Sequence, residues 1–110
     1  MLIAERTLHL QRGDMKHAVP IRLFAPIAGD NSWGCRWEIH GPEQVRSGEA
    51  IGHDAVQALV LALQAIGSEL YSSAAHVSAD LRWSDAWAGY GFPVPGMMRD
   101  QLVGDDAKYL

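Results

Sequence analysis

The sequence contains a single cysteine, Cys35, and no excess of positive charge. One cysteine excludes an internal disulfide bond and is typical of a reducing compartment. The formal net charge of −4 provides no basic surface of the kind that binds a phosphate backbone. We therefore predict a cytoplasmic protein that does not bind nucleic acid.

The chain also lacks a long uninterrupted apolar segment. The longest apolar run, 55–66, is broken by Gln57 and Gln64 and is shorter than the roughly 20 residues that span a bilayer. Near the N-terminus, Glu5 and Arg6 interrupt the stretch that would have to be apolar in an export signal. The sequence therefore predicts a soluble protein with no membrane partner.

The 110 residues are 48% hydrophobic and 20% charged, which is typical of a folded globular protein. This length fits one domain with its own core. We predict a single domain over residues 1–110, composed of β-hairpins (1–51), a helix (54–72) and a C-terminal arm (73–110).

Two runs of alternating apolar and polar residues open the chain, and a Gly-Asp pair lies between them where a tight turn is expected. They predict a hairpin in which Arg12 pairs with Met15. Three further pairs follow in that register: Leu8 with Val19, Ala4 with Leu23, and Glu5 with Arg22. Pro20 and Pro26 remove backbone donors, so part of the second strand is expected at a sheet edge or a bulge.

Two further strands and one long helix follow. Alternation over 33–39 and 45–50 predicts a second hairpin, whose fourth strand contains small residues that allow a helix to approach closely. Asp54 followed by Gln57 is a capping box that opens a helix ending near Ser72. Its apolar face is expected to consist of Val56, Leu59, Val60, Leu63, Ile66 and Leu70.

Periodicity fades in the arm. Residues 77–83 predict a short fifth strand and 97–103 a short helix, whereas 104–110 are expected to be frayed. The predicted class is α+β: an antiparallel sheet of four or five strands, built as two consecutive hairpins, with one long helix packed on one face and an aromatic C-terminal arm. Ile3 and Phe24 lie on the opposite face in this register, which predicts a homodimer that buries that face.

Three separated segments resemble those of one protein family: Ile3 to Leu8, Gly52 to Leu59, and Tyr90 to Pro93. The family consists of small bacterial proteins described as a domain of unknown function. The resemblance covers roughly residues 1–95 and implies a bacterial origin and a shared fold. It implies no catalytic residue, because none of the segments is a motif with known chemistry.

The residue types that usually carry catalysis or bind metals are scattered along the chain. The five histidines lack the short spacing typical of zinc ligands. They are His9, His17, His40, His53 and His76. Cys35 lies mid-strand, where a buried structural thiol is favoured over a nucleophile, and Asp54 is favoured as a helix cap over an acid/base partner of His53. We therefore predict no catalytic residue, metal site or cofactor, and an enzymatic role is disfavoured.

Four aromatic residues lie within ten positions of the arm, namely Trp83, Trp87, Tyr90 and Phe92. Such a cluster is typical either of a lid over the sheet or of a surface that contacts another protein or a second subunit. The leading hypothesis is a non-enzymatic protein-interaction module, of an immunity or regulatory type, whose partner contacts these residues.

The alternative hypothesis is a small-ligand-binding protein or a minor enzyme. Its pocket would lie between sheet, helix and arm. The expected walls are Trp33, Trp37 and Trp83, and the expected polar contact is His40 or His53.

Overall fold

The computed structural model describes residues 1–110 and contains a six-stranded antiparallel sheet with one long helix packed on one face. The strands are β1 (Leu2–Arg12), β2 (Met15–Phe24), β3 (Ile27–Ala28), β4 (Trp33–His40), β5 (Val45–Gly52) and β6 (Leu81–Arg82). The helices are α1 (Ala55–Tyr71), α2 (Ala74–Val77) and α3 (Gly104–Tyr109), and a 3₁₀ helix spans Gly96–Gln101. β2 and β3 both pair with one edge of β4, and β5 pairs with its other edge. Beyond β2 the sheet continues with β1 and then β6. The predicted α+β class is confirmed, and the sheet has six strands because β3 and β6 each add a short segment.

The first hairpin has the predicted register. Arg12 pairs with Met15, and the other three predicted pairs are also present. A β-bulge between Leu2 and Ala4 shifts the register at the open end of the hairpin, so that Leu2 lies opposite Phe24. The alternation on both faces therefore fixed the pairing up to this bulge.

The prolines lie where a missing backbone donor disrupts little. β4 pairs with β2 at Ile21–Leu23, so Met15–Pro20 has β1 as its one neighbouring strand. Pro26 lies between β2 and β3 and belongs to neither strand. The expected edge position is confirmed for the part of β2 that contains Pro20.

The long helix begins at the predicted cap. Gln57 N donates to Asp54 Oδ1 at 2.8 Å, and His53 N donates to Gln57 Oε1 at 2.6 Å. These two bonds complete the capping box, and the helix ends at Tyr71 with Ser72 as its C-cap. Both ends agree with the prediction to within one residue.

The buried face of α1 is rotated away from the predicted one. Its buried residues are Ala58, Ala62, Ile66, Gly67, Leu70 and Tyr71. Val56 and Val60 are instead 69% and 44% exposed. A Cβ atom on Gly52 of β5 would lie 2.5 Å from Ala58 N, so the strand and helix backbones are in direct contact. This contact turns the alanine side of the helix toward the sheet.

The core lies between α1, one face of the sheet and the arm, and it contains 17 buried apolar residues. Cys35 is fully buried in it, with Sγ 3.2 Å from the Phe24 carbonyl oxygen. Burial raises the pKa of the Cys35 thiol, with a further contribution from the charge of Glu49. A nucleophilic cysteine needs the opposite shift, so the geometry favours a structural role for this residue.

The other face of the sheet is lined with charges of alternating sign. Glu5 accepts a hydrogen bond from Arg22 at 2.7 Å, and Arg22 lies opposite Glu38 on the neighbouring strand. Arg36 and His40 flank Glu38 at 3.4 and 2.7 Å. Such a face is stable in water. It therefore has less apolar surface than we expected for the face that the predicted homodimer would bury. The homodimer itself stays a prediction.

The residues after α1 contain more regular structure than expected. α2 ends at Val77. The fifth strand predicted within 77–83 is therefore limited to Leu81 and Arg82, which form β6 and pair with β1. The predicted helix over 97–103 is the 3₁₀ helix. The expectation that 104–110 are frayed was wrong, because these residues form α3 and Asp106 is 2% exposed. The longest helix falls short of the length and apolarity needed to cross a bilayer, as do the others.

Candidate functional site

The structure divides the four predicted contact residues into two pairs. Tyr90 and Phe92 are 1% and 7% exposed and belong to the core. Trp83 and Trp87 are 45% and 47% exposed. Another protein could reach the two tryptophans without rearrangement of the arm. The accessible part of the predicted contact surface is therefore Trp83 with Trp87, and its role stays a prediction.

The arm is fixed to the core by the buried carboxylate of Asp106. One oxygen accepts a hydrogen bond from the Tyr71 hydroxyl at 2.5 Å and another from Tyr90 N at 2.8 Å. The second oxygen accepts from Gly91 N at 2.8 Å. These three bonds compensate for the desolvation of the carboxylate. Asp106 thereby joins the last turn of α1 to the middle of the arm.

Tyr90 extends this cluster to His76 of α2. His76 Nδ1 lies 2.5 Å from the Tyr90 hydroxyl, which is also 3.4 Å from the Leu81 carbonyl oxygen. Burial lowers the pKa of His76, while burial and the charge of Asp106 raise the pKa of Tyr90 to about 12. Burial and the bond to Asp106 raise the pKa of Tyr71 as well. The histidine and both tyrosines are therefore uncharged at neutral pH.

Arg6 of β1 holds the arm from the sheet side. Its Nη1 donates to the carbonyl oxygens of Tyr90 and Gly91 at 3.1 and 3.2 Å. Its guanidinium carbon lies 3.7 Å from the centroid of the Trp83 ring and 5.2 Å from that of Phe92. The same side chain therefore anchors the arm backbone and orients the Trp83 indole.

Trp87 is held in an uncommon backbone conformation. Its φ of 60° lies in the left-handed region, and this conformation costs a residue other than glycine about 1–3 kcal/mol. Its indole stacks on His76, with ring centroids 5.1 Å apart and an interplanar angle of 30°. The fold thus keeps a large aromatic side chain half-exposed in a strained conformation, a feature that concentrates at functional sites.

A pocket of about 200 Å³ opens between Trp83 and α3. Its lining residues are Trp83, Ser84, Ala88, Gly89, Asp105 and Asp106. The carboxylate of Asp106 is taken up by its three hydrogen bonds, whereas Asp105 is exposed. A carboxylate beside an aromatic ring is an environment that suits an arginine or lysine side chain.

A larger cavity of about 360 Å³ lies between the sheet and the C-terminal end of α1. Its apolar walls are Leu10, Val19, Ile39, Leu70 and Leu81. Arg12 and Arg46 contribute two guanidinium groups to the lining, and each is paired with a glutamate at 2.9 Å. The cavity therefore combines an apolar interior with a rim of ion pairs, in which Glu43 lies beside Arg12.

The residues predicted to form a ligand pocket do not come together. Trp83 lines the small pocket beside α3, while His53 lines a separate groove of about 350 Å³ near Ile51. His40 binds Glu38 on the charged face of the sheet. The remaining two, Trp33 and Trp37, pack with the core on β4. No three His, Cys, Asp or Glu side chains in residues 1–110 are placed to hold a metal ion.

Sequence reasoning missed the residues that anchor the arm, namely Arg6, Tyr71, His76 and Asp106. A signal existed for Arg6, because it occupies the apolar face of β1 between Ala4 and Leu8. A charged residue at such a position indicates a buried polar partner. Asp106 carried no signal, because an acidic residue in a polar segment is usually solvated.

The fold and the site define an α+β domain in which a buried carboxylate fixes an arm that carries two half-exposed tryptophans. The chain belongs to the family described as Domain of unknown function (DUF6968), which matches residues 4–94. The match includes Arg6 and both tryptophans and ends before Asp106. The predicted family resemblance is confirmed, and the bacterial origin stays a prediction. No curated protein and no solved structure matches the chain.

Proposed function

We propose that this protein is a non-enzymatic protein-binding module whose contact surface consists of Trp83, Trp87 and the pocket beside Trp83. The observation that carries the proposal is that both indoles are nearly half-exposed and yet held in place, one by Arg6 and the other by His76. Rigid aromatic side chains lose little entropy on binding, and tryptophan is enriched among the residues that dominate binding energy. A bacterial, cytoplasmic, immunity-type or regulatory role is the context that we propose for this module.

The surroundings of the two indoles favour a basic contact residue on the partner. Asp85 is exposed between them in the sequence, and Asp105 is exposed in the pocket beside Trp83. An arginine or lysine in that pocket would gain an ion pair with Asp105 and a cation–π contact with Trp83. We therefore propose a partner protein that inserts a basic side chain beside Trp83.

A peptide selection tests this proposal before any partner is identified. A random peptide library displayed on phage is selected on the immobilised protein. We expect peptides that contain arginine or lysine next to an apolar residue to be enriched. Synthetic copies are then titrated, and Trp83→Ala and Trp87→Ala are each expected to weaken binding by about tenfold or more.

The controls separate binding from folding. Ile27→Ala removes an apolar side chain that is 66% exposed on β3, far from β6 in the strand order, and should leave affinity unchanged. Asp105→Asn should weaken binding more at low salt than at high salt, because salt screens an exposed ion pair. Unfolding of each variant by urea shows whether the fold is intact. Selection of peptides without basic residues, or equal binding by the folded tryptophan variants, contradicts the proposal.

The cavity of about 360 Å³ favours a second candidate function, the binding of a small amphipathic acid. Its apolar walls would hold a hydrocarbon chain, while the ligand carboxylate would replace Glu43 on Arg12 or Glu69 on Arg46. Titration with sodium octanoate, followed by NMR, should shift the signals of Val19, Leu70 and Leu81. Arg46→Ala should weaken this binding, whereas Arg36→Ala on the other face should not. Shifts that do not saturate would count against this function.

A further inference from the structure

β5 leaves one edge of the sheet unpaired along its length. It pairs with β4 on one side, and no strand lies on the other. In the connecting turn, Gly41 N donates to Gln44 O at 3.0 Å, so Gly41 and Gln44 form a hydrogen-bonded pair. Antiparallel pairs alternate, and the even-numbered residues of β5 therefore direct their backbone groups to β4. The backbone N–H and C=O groups of Val45, Ser47, Glu49 and Ile51 point away from the sheet.

This edge is open to a second strand. Val45 and Ile51 are 57% and 54% exposed, and Ser47 and Glu49 between them are exposed too. No backbone hydrogen bond outside the β4–β5 ladder involves any of these four residues. Proteins often protect an edge strand with a bulge or a proline, and β5 has neither, although it carries the exposed charge of Glu49.

We infer that β5 pairs antiparallel with β5 of a second copy of this chain, about a twofold axis at Gly48. This register places Val45 opposite Ile51 of the second copy and Ser47 opposite Glu49. Each exposed β-branched residue then has an apolar neighbour across the interface. The outward-pointing residues form hydrogen-bonded pairs, which amounts to about eight new backbone hydrogen bonds across the dimer.

The two neighbouring registers fit less well. An axis at Glu49 would place two glutamates directly opposite each other, which is destabilising. An axis at Ser47 would place Val45 opposite Glu49 and leave Ile51 without a partner residue. The register at Gly48 avoids both problems, and its twofold symmetry closes the assembly at a dimer.

The inference is independent of the proposed binding function. β5 and β6 lie at opposite edges of the sheet, and the tryptophans follow β6. Pairing through β5 therefore leaves Trp83 and Trp87 of both copies accessible. It also differs from the dimer predicted from the sequence, which would have buried the face of the sheet that carries the charge pairs.

Two substitutions of one exposed residue test both the dimer and its register. Sedimentation equilibrium of the full chain gives the dimer dissociation constant. Ser47→Glu places a second carboxylate opposite Glu49 and should raise the constant by about tenfold, because the pair occurs twice in the dimer. Ser47→Lys places an ammonium group there and should lower it by a similar factor. Circular dichroism checks that both variants are folded.

The outcomes are distinguishable. An axis at Ser47 would weaken the dimer in both variants, because residue 47 would then face its own copy. Hydrogen exchange adds a direct measurement: the amides of Val45, Ser47, Glu49 and Ile51 should be protected only at concentrations that populate the dimer. A wild-type protein that is monomeric throughout the micromolar range, or two variants with equal dissociation constants, overturns the inference.

Discussion

Residues 1–72 and residues 73–110 of this protein are held together by different kinds of contact. The sheet and α1 pack through apolar side chains such as Leu8, Ile21 and Ile66, which are 0–2% exposed. The arm adds Tyr90, Phe92 and Val94 to the same core, but three of the hydrogen bonds that fix it converge on Asp106. Apolar packing is not directional, so the core forms even though α1 buries a different face from the predicted one. A buried hydrogen-bonded carboxylate, in contrast, requires each of its partners. Stability is therefore distributed over many apolar contacts in the first region, whereas the second region depends more strongly on a single residue, Asp106.

The substitution Asp106→Ala should break this comparison most strongly. It leaves the Tyr71 hydroxyl and the amides of Tyr90 and Gly91 without an acceptor, at an expected cost of about 3–5 kcal/mol in the free energy of unfolding. Urea unfolding should be followed by the NMR signals of the Trp83 and Trp87 indole N–H groups, which report on the arm, and by far-UV circular dichroism. We expect these two indole signals of the variant to change at lower urea than its circular dichroism.

The neighbouring residue supplies the matched control for this prediction. Asp105 is exposed, so Asp105→Ala should change the free energy of unfolding by less than about 0.5 kcal/mol. Asp106→Asn retains one acceptor oxygen and should have an intermediate effect. If Asp106→Ala and Asp105→Ala were equally stable, the arm would not depend on the carboxylate.

A second substitution examines the contact between the two regions. A Cβ atom on Gly67 of α1 would lie 1.8 Å from the Pro93 carbonyl oxygen. Alanine should favour the helix by about 1 kcal/mol, but displacement of the arm should outweigh this gain and give a net loss of about 2 kcal/mol. Gly96→Ala is the control, since no atom lies within 4 Å of its added Cβ. A net increase in stability for Gly67→Ala would show that the arm does not pack here.

The smallest expected effect is a dependence of arm stability on pH. The pKa of His76 in the folded protein is lowered from 6.5 by burial, so folding favours the neutral form. The contribution of His76 to the free energy of unfolding is therefore fully present above pH 6.5, and it is lost as the pH falls through the pKa of the folded state. We expect a lower free energy of unfolding at pH 5 than at pH 7.5, with a smaller difference in His76→Asn. Burial also lowers the pKa of His9, so His9→Asn measures the separate contribution of that histidine to the pH dependence. Parallel pH profiles for the wild type and His76→Asn would falsify this assignment.

Much of the first region could be predicted from the sequence because its signals are local. Alternation on both faces fixed the register of the first hairpin, and Asp54 with Gln57 marked the start of α1. The rotation of α1 could not be predicted, because it results from a backbone contact between Gly52 and Ala58. Periodicity describes which side chains are apolar and does not describe how closely two backbones approach.

Less of the candidate site could be predicted. The aromatic cluster was recognised from composition, but its division into a buried and an exposed pair depends on distant partners. Asp106 is 16 residues from Tyr90, and Arg6 is 84 residues from it. Neither distance leaves a periodic pattern in the sequence. A lone arginine on an apolar strand face is the one local sign that could have revealed the anchor.

The hydrogen bond between Tyr71 and Asp106 closes a loop of 35 residues, and the exposed segment 83–87 lies inside that loop. Protease cleavage concentrates at exposed segments of this kind. A single cut between Ser84 and Ala86 separates the chain into two fragments whose mutual contacts, including those of Tyr90 with His76 and Arg6, lie across the cut. The nicked protein should therefore migrate as one species on a native gel and as two bands on a denaturing gel.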